Sequence, residues 1–346
     1  MYVQRLSGES VDCVIPRNEL KYCFNPIVTL IILSFVICHY PFIILLSLLS
    51  KNKLKYPFHL LNAIEAFNLL YVLRKHRIRK LHYFCIYESD SNLLAYVLMK
   101  CGIYVNKIPS EVPLQFWNKM IVADSLSFCF RYQEEEFEYY RKTMHVSTVN
   151  HWIPESSLNL ENEYVRPEKR TEPNSIGFYS SGMWYRKMMD ILDLENADLY
   201  EKQLLNYLQF FIQKYPKYTL KVYLHPIEKE HHSKAVEYYN SFPLKVEFAD
   251  TNVPNPKQFF NSDVVVTLYS TLAFERVFWG YKTIIFPLGQ SDFPIKNSTL
   301  NSICAKSQEE LDERLLEALQ EPATSYFAKK QMSNYCYTTY PMFKLN

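Results

Sequence analysis

Apolar residues in this chain fall into short β-rich runs that stop at small or ionisable polar residues, with helical periods between them. From Leu60 to Arg74, apolar Leu61, Ile64, Phe67, Leu70 and Leu73 recur at three- and four-residue spacing, which predicts a helix. Leu81 to Tyr87 reads as a strand. The polar residues Glu88 to Asn92 end it and can cap a helix from Leu93 to Lys100. Ile103 to Ile108 and Ser127 to Phe130 are short strands, Gln133 to Lys142 is an acidic amphipathic helix, and His145 to Ile153 closes a first α/β unit. The stretch 154–174 is polar and charged, carries Pro167 and Pro173 and has no apolar period, so it reads as a linker.

A second unit then begins. Ser175 to Ser180 is a strand running into Ser181, Gly182, Met183 and Trp184, and Leu199 to Tyr215 is a long amphipathic helix. Further strands end at His225, Phe248, Leu268 and Phe286. Helices are expected from Ile227 to Tyr239, Leu272 to Trp279 and Glu309 to Gln320. Strands alternating with helices predict parallel sheets, hence an α/β chain. The divisions are an apolar segment over 1–50, a first domain over 51–154, a linker over 155–174, a second domain over 175–325 and a tail over 326–346.

The apolar segment is the one membrane question. Residues 27–49 approach spanning length, with His39 and Pro41 in the middle, while Phe42 to Leu49 also suits the first buried strand of a parallel sheet. Lys51, Lys53 and Lys55 beyond it would leave the following domain in the cytoplasm, at the inner face of the membrane. The basic run Arg74 to Lys80 reads as a solvated helix end, or as a site for anionic lipid.

At 346 residues and 48% apolar, the chain has room for two domains with ordinary cores. A formal charge of +2 gives no reason to expect nucleic acid as a partner. With 6 Gly and no GxGxxG or Walker pattern, a glycine-rich phosphate cradle is excluded as the main device. The 8 Cys include no C-x-x-C pair, which argues against zinc and against a disulfide framework. No metal and no cofactor is expected, and His231-His232 lacks partner ligands.

Candidate chemistry lies at the strand ends. His225-Pro226 and Ser270-Thr271 each follow an apolar run where a helix begins. Open α/β sheets take ligands at such carboxyl ends, and a helix N-terminus there favours a phosphate. Both pairs also make good helix starts, Pro226 as a first helical residue and Ser270 or Thr271 as a cap. Glu275, one turn into the next helix, could accept ribose hydroxyls or simply favour the helix dipole. Ser180, Ser181 and Gly182 are a turn whose backbone amides could approach a donor. Glu88, Asp90 and Glu111 are candidate general bases from strand ends earlier in the chain.

His225-Pro226 and Ser270-Thr271, in that order on consecutive sheet elements, resemble the His-Pro and Ser-Ser/Thr motifs of bacterial GT-B transferases of surface polysaccharides. These are the CMP-sugar sialyltransferases and Kdo transferases. The resemblance implies two Rossmann-like parallel-sheet domains facing an interdomain cleft, and an inverting, metal-independent glycosyltransferase. The donor would be a CMP-sugar and the acceptor a glycan or lipid-linked saccharide. His225 would contact the CMP phosphate and assist its departure, with Ser270 and Thr271 on the same phosphate. The family's acidic-acidic-Gly base motif is nearest matched by Glu88-Ser89-Asp90-Ser91, with a serine inserted and no glycine. CDP-glycerol or CDP-ribitol phosphotransferases of teichoic-acid type resemble the chain in the same two regions. A non-catalytic GT-B-like subunit of a polysaccharide assembly complex is the reading from a different class.

Overall fold

The computed structural model describes residues 26–27, 30, 34, 37–38, 69–83, 89–107, 122–128, 130–140, 145–151, 172–189, 197–268, 270–287 and 293–336. The chain splits into two compact units, Met1–Cys129 with Phe137–Glu155, and Phe130–Glu136 with Ser156–Asn346. Each is built on a parallel sheet. Nearly all of the apolar segment lies outside the described residues. Among the described residues, no helix is long and apolar enough to cross a membrane.

In the first unit, β1 (Lys80–Tyr83), β2 (Tyr104–Lys107), β3 (Val122–Phe128) and β4 (His145–His151) pair in sequence order, all parallel. Residues 69–75 are helical, as their period predicts, and bury Leu69, Leu70 and Leu73 against Ala95 and Leu98 of α1 (Ser89–Lys100). The sequence placed Asp90 in a capping loop ahead of this helix. It lies instead inside the first turn, where an acid is favoured by the unpaired amides of the helix start. One feature defies the apolar expectation for a parallel sheet. His82, Asn106 and Ser125 stand level on β1, β2 and β3 and are joined by hydrogen bonds, His82 Nδ1 to Asn106 Nδ2 at 3.0 Å and Ser125 Oγ to Asn106 Oδ1 at 2.6 Å. Such a row is tolerable inside a core because its members satisfy one another.

In the second unit the strand order is β7 (Val246–Phe248), β6 (Thr219–Tyr223), β5 (Ser175–Tyr179), β8 (Val264–Thr267), β9 (Thr283–Ile285), again all parallel. Order therefore reverses between β5 and β8, the topological switch point of an open sheet. The β-branched run Val264-Val265-Val266 is wholly buried, as a strand covered on both faces must be. Helix α4 (Ala197–Lys214) covers the sheet with Leu204, Leu205, Leu208 and Phe211, spaced along one stripe. The first-half segment Phe130–Glu136 packs here. The ring of Phe130 lies 6.1 Å from Phe274, Tyr132 lies 5.5 Å from Phe293, and the Tyr132 hydroxyl accepts the Ile295 N–H at 3.2 Å.

The stretch from 326, expected as a tail, is part of this core as far as Tyr335. Helix α9 (Ala323–Lys329) and the turn after it bury Tyr326, Phe327, Met332 and Tyr335. The helix expected from Ile227 to Tyr239 is two, α5 (Pro226–Lys229) and α6 (His232–Asn240). The break falls at Glu230 and His231, where the His231 ring stacks on Tyr185 at 4.6 Å.

Candidate functional site

The residues singled out in the second half gather at one edge of its sheet. Tyr179 on β5 is level with Tyr223 on β6 and Thr267 on β8, so Ser180, Leu224 and Leu268 leave the sheet side by side. His225 follows Leu224 directly, and Ser270 comes two residues after Leu268. With neighbouring strands about 4.8 Å apart, the β6 and β8 ends stand roughly 10 Å from each other, on either side of the β5 end. This is the carboxyl edge at the switch point, where open α/β sheets take their ligands.

His225 is the N-cap of α5, with extended backbone at φ −63° and ψ 149°, and Pro226 supplies a first helical residue that needs no N–H partner. Its Nδ1 accepts the Ile227 N–H at 3.3 Å, and the Glu228 carboxylate accepts the His225 N–H at 2.7 Å. Capping thus uses Nδ1 and leaves Nε2 for other work. With Nδ1 an acceptor, the neutral ring carries its proton on Nε2. That nitrogen faces Nη2 of Arg186 at 3.2 Å. Two donors then confront one another, and an anionic oxygen between them would satisfy both. Arg186 comes from α3 (Met183–Met188), and among the described residues its buried Nε has no hydrogen-bond partner. Burial, aided by the Arg186 charge, pushes the His225 imidazole down to about 4, so it is neutral at physiological pH. A bound phosphate would reverse that bias and favour the protonated ring.

Gly182 sets the distance between the β5 loop and the His225 turn. Its φ of +65° suits glycine, and a Cβ there would lie 3.1 Å from Ile227 Cγ2 and 3.4 Å from His225 Cβ. Of the two readings of this loop, the amide partners fit the plain turn. The Ser180 N–H goes to Tyr223 O at 3.1 Å, the Ser181 N–H to Glu201 at 3.2 Å, and the Gly182 N–H to Ser180 Oγ at 2.9 Å. These donors serve the fold, because a loop this buried must satisfy its own backbone.

Ser270 caps α7 (Thr271–Phe278), its hydroxyl accepting the Leu272 N–H at 3.3 Å, and both Ser270 and Thr271 are partly exposed. Glu275 is only 4% exposed, and its charge acts on the Tyr179 phenol on β5. It therefore belongs to the interior under α7 rather than to an open rim. The next residue, Arg276, is fully buried. It donates to Phe259 O at 2.6 Å and lies 5.0 Å over the Tyr281 ring.

Two buried carboxyls underlie the site, and sequence reasoning missed both. Glu228 accepts from the Trp184 indole and from the Tyr239 hydroxyl at 3.0 Å as well as from His225. Glu201, on α4, holds the β5 loop through Ser181. Arg186 was missed as well. No local period marks α3, and only the turn at Gly182 brings its side chain back to His225. Glu88 and Glu111 lie outside the described residues, as does the side chain of Asp90.

No protein-family model matches the sequence. No curated protein matches it either. Solved structures similar in chain course include TarM, at 11% identity and TM-score 0.47, over 80% of this chain and 56% of that one. MurG of Acinetobacter baumannii is similar at 13% identity and TM-score 0.44, over 81% of this chain and 77% of that one. The UDP-GlcNAc 2-epimerase of Neisseria meningitidis, solved with UDP-GlcNAc bound, is similar at 11% identity and TM-score 0.47, over 81% and 78%. The chain thus spans little more than half the length of TarM.

Proposed function

We propose that this protein is an inverting glycosyltransferase of GT-B type that takes a sugar of the sialic acid or Kdo kind from a CMP-sugar and passes it to a cell-surface glycan. The observation that carries this reading is the meeting of His225 Nε2 with Arg186 Nη2 at the switch-point edge, with Ser270 and Thr271 beginning a helix across the same edge. In the reaction the bond between the anomeric carbon and the phosphate oxygen breaks, and CMP leaves with the electron pair. His225, Arg186 and the hydroxyl pair stabilise the charge that collects on that phosphate. A carboxylate (Glu88, Asp90 or Glu111) takes the proton from the attacking acceptor hydroxyl. Positioning and electrostatics do most of the work, which suits a sheet edge whose loops are tied down by their own hydrogen bonds.

The test is a thermal-shift panel of CMP, CDP, UDP and GDP, followed by a donor screen. A nucleotide at a hundred times its Kd stabilises the native state by about 2.7 kcal/mol. CMP is expected to give the largest shift. No shift from any nucleotide would end the reading. A larger shift with CDP, together with transfer of polyol phosphate, would move it to the teichoic-acid type.

We also propose that the enzyme works at the inner face of the cytoplasmic membrane. Arg74, Lys75, Arg77, Arg79 and Lys80 are all exposed, and residues 69–83 include no acid. Each such cation adds about 1 kcal/mol of attraction near an anionic surface, lost within a Debye length. Sedimentation with phosphatidylglycerol vesicles at low salt, and release at high salt, is the expected result. Equal recovery with neutral vesicles would count against it.

A further inference from the structure

We propose that Glu228 is the positioning residue that aims His225 at its anionic ligand, and that Glu201 does the same for the facing β5 loop, so that the two carboxyls hold the mouth of the site as one unit. The proposal rests on the phosphate-binding reading above.

The geometry is specific to both loops. Glu228 sits in α5 with its side chain fully buried, and one of its oxygens receives the His225 N–H at 2.7 Å. The other oxygen receives the Trp184 indole from α3 and the Tyr239 hydroxyl from α6. One carboxylate thus ties together the His225 turn, the helix that bears Arg186 and the helix that follows. Those three contacts decide where Nε2 and the guanidinium point. Glu201, also fully buried, accepts the Ser181 N–H and fixes the loop in which Gly182 faces the His225 turn, where an added Cβ would lie 3.4 Å from His225 Cβ.

Among the described residues, no cation pairs with these two carboxyls. On α4, Asp198 takes both nearby lysines, Lys187 at 2.6 Å and Lys202 at 3.3 Å. Tyr238 and Tyr239 face the pair from α6 and stay protonated, since burial and the two glutamates raise them. Arg186 faces His225. Lys229, held below its ordinary range by burial, donates to Val253 O instead. Burial, with the Glu228 carboxylate beside it, pushes Glu201 up to about 8, and burial raises Glu228 as well. Glu201 therefore gains negative charge as the pH rises through about 8, beside the Glu228 carboxyl, and the added repulsion loosens the loop from the His225 turn.

The experiment uses the full chain, with CMP as probe and the His225 imidazole observed by NMR. Glu228→Gln keeps the size but turns an NH2 toward donors that need an acceptor. It is expected to weaken CMP tenfold or more and, because the loosened turn lets water reach the imidazole whose burial now holds it low, to move the His225 titration upward by at least one pH unit, with the far-UV spectrum unchanged. CMP binding that matches wild type, or weaker binding with an unmoved His225 titration, overturns the proposal. If Glu228→Gln does not fold, pH decides. Wild type is expected to lose CMP severalfold between pH 7 and pH 9, where the CMP phosphate no longer titrates. Glu201→Gln, which cannot ionise, is expected to hold its affinity over that range. A flat wild-type profile, or the same loss in Glu201→Gln, overturns the proposal. Should wild type bind none of the nucleotides, the phosphate reading fails by itself, and the His225 titration in ligand-free Glu228→Gln still decides the positioning role.

Discussion

His225→Ala is expected to slow sugar transfer from a CMP-sugar by about a hundredfold to a thousandfold, the size of effect when one stabilising donor is removed from a developing negative charge. The imidazole is an ionisable side chain at this edge whose protonation a bound phosphate can change. In the ligand-free fold it is neutral, because burial and Arg186 disfavour the cation. A phosphate offsets the repulsion from Arg186 and adds an acceptor for the Nε2 proton. The substitution also removes the Ile227 cap, so some loss of stability accompanies it, typically about 1 kcal/mol. Steady-state rates with a saturating donor, measured beside a melting curve, separate the two effects. Wild-type turnover in the alanine variant would remove His225 from the mechanism, whatever its place in the fold.

Gly177→Val is expected to have the largest effect on stability. Gly177 lies in the middle of β5, level with Lys221 on β6 and Val265 on β8. A Cβ there would stand 2.6 Å from Val265 Cγ2, 2.9 Å from Ser262 Oγ and 3.0 Å from the Tyr223 ring. None of these neighbours yields easily. Val265 is β-branched and fully buried, and the Tyr223 and Ser262 hydroxyls are bonded to each other at 2.9 Å. Overpacking by a single group costs roughly 1–3 kcal/mol, and the branched side chain of valine adds two more carbons. An unfolding free energy from urea titration lowered by about 3 kcal/mol or more, through a lower midpoint at unchanged slope, is the expected outcome. A stability within about 0.5 kcal/mol of wild type, the usual range for a harmless surface change, would mean that the sheet opens at this point.

The elements that could be read from the chain are those with a single dominant signal. Val264 to Leu268 and the strand starting at Thr283 are continuous apolar runs, which a sheet covered on both faces requires. The stripe of Leu204, Leu205, Leu208 and Phe211 was legible for the matching reason in a helix. His225 and Ser270 were legible because they end such runs. What escaped depends on the third dimension. Arg186 is an ordinary basic residue until the αL turn at Gly182 folds it back. Glu228 reads as a first-turn acid, and its contacts with Trp184 and Tyr239 join residues 44 and 11 positions away. The cross-strand row of His82, Asn106 and Ser125 has no local pattern, since its members belong to three strands.

The aromatic pair Phe130 and Tyr132 has a practical consequence for anyone dividing this chain. These rings pack with Phe274, Phe278 and Phe293, although more than twenty residues of polar sequence separate them from the start of β5. A fragment cut within that polar stretch would leave a socket of phenylalanines open to water. Such a piece would be prone to clump, and adding back a peptide that carries the missing rings would be the way to keep it dispersed.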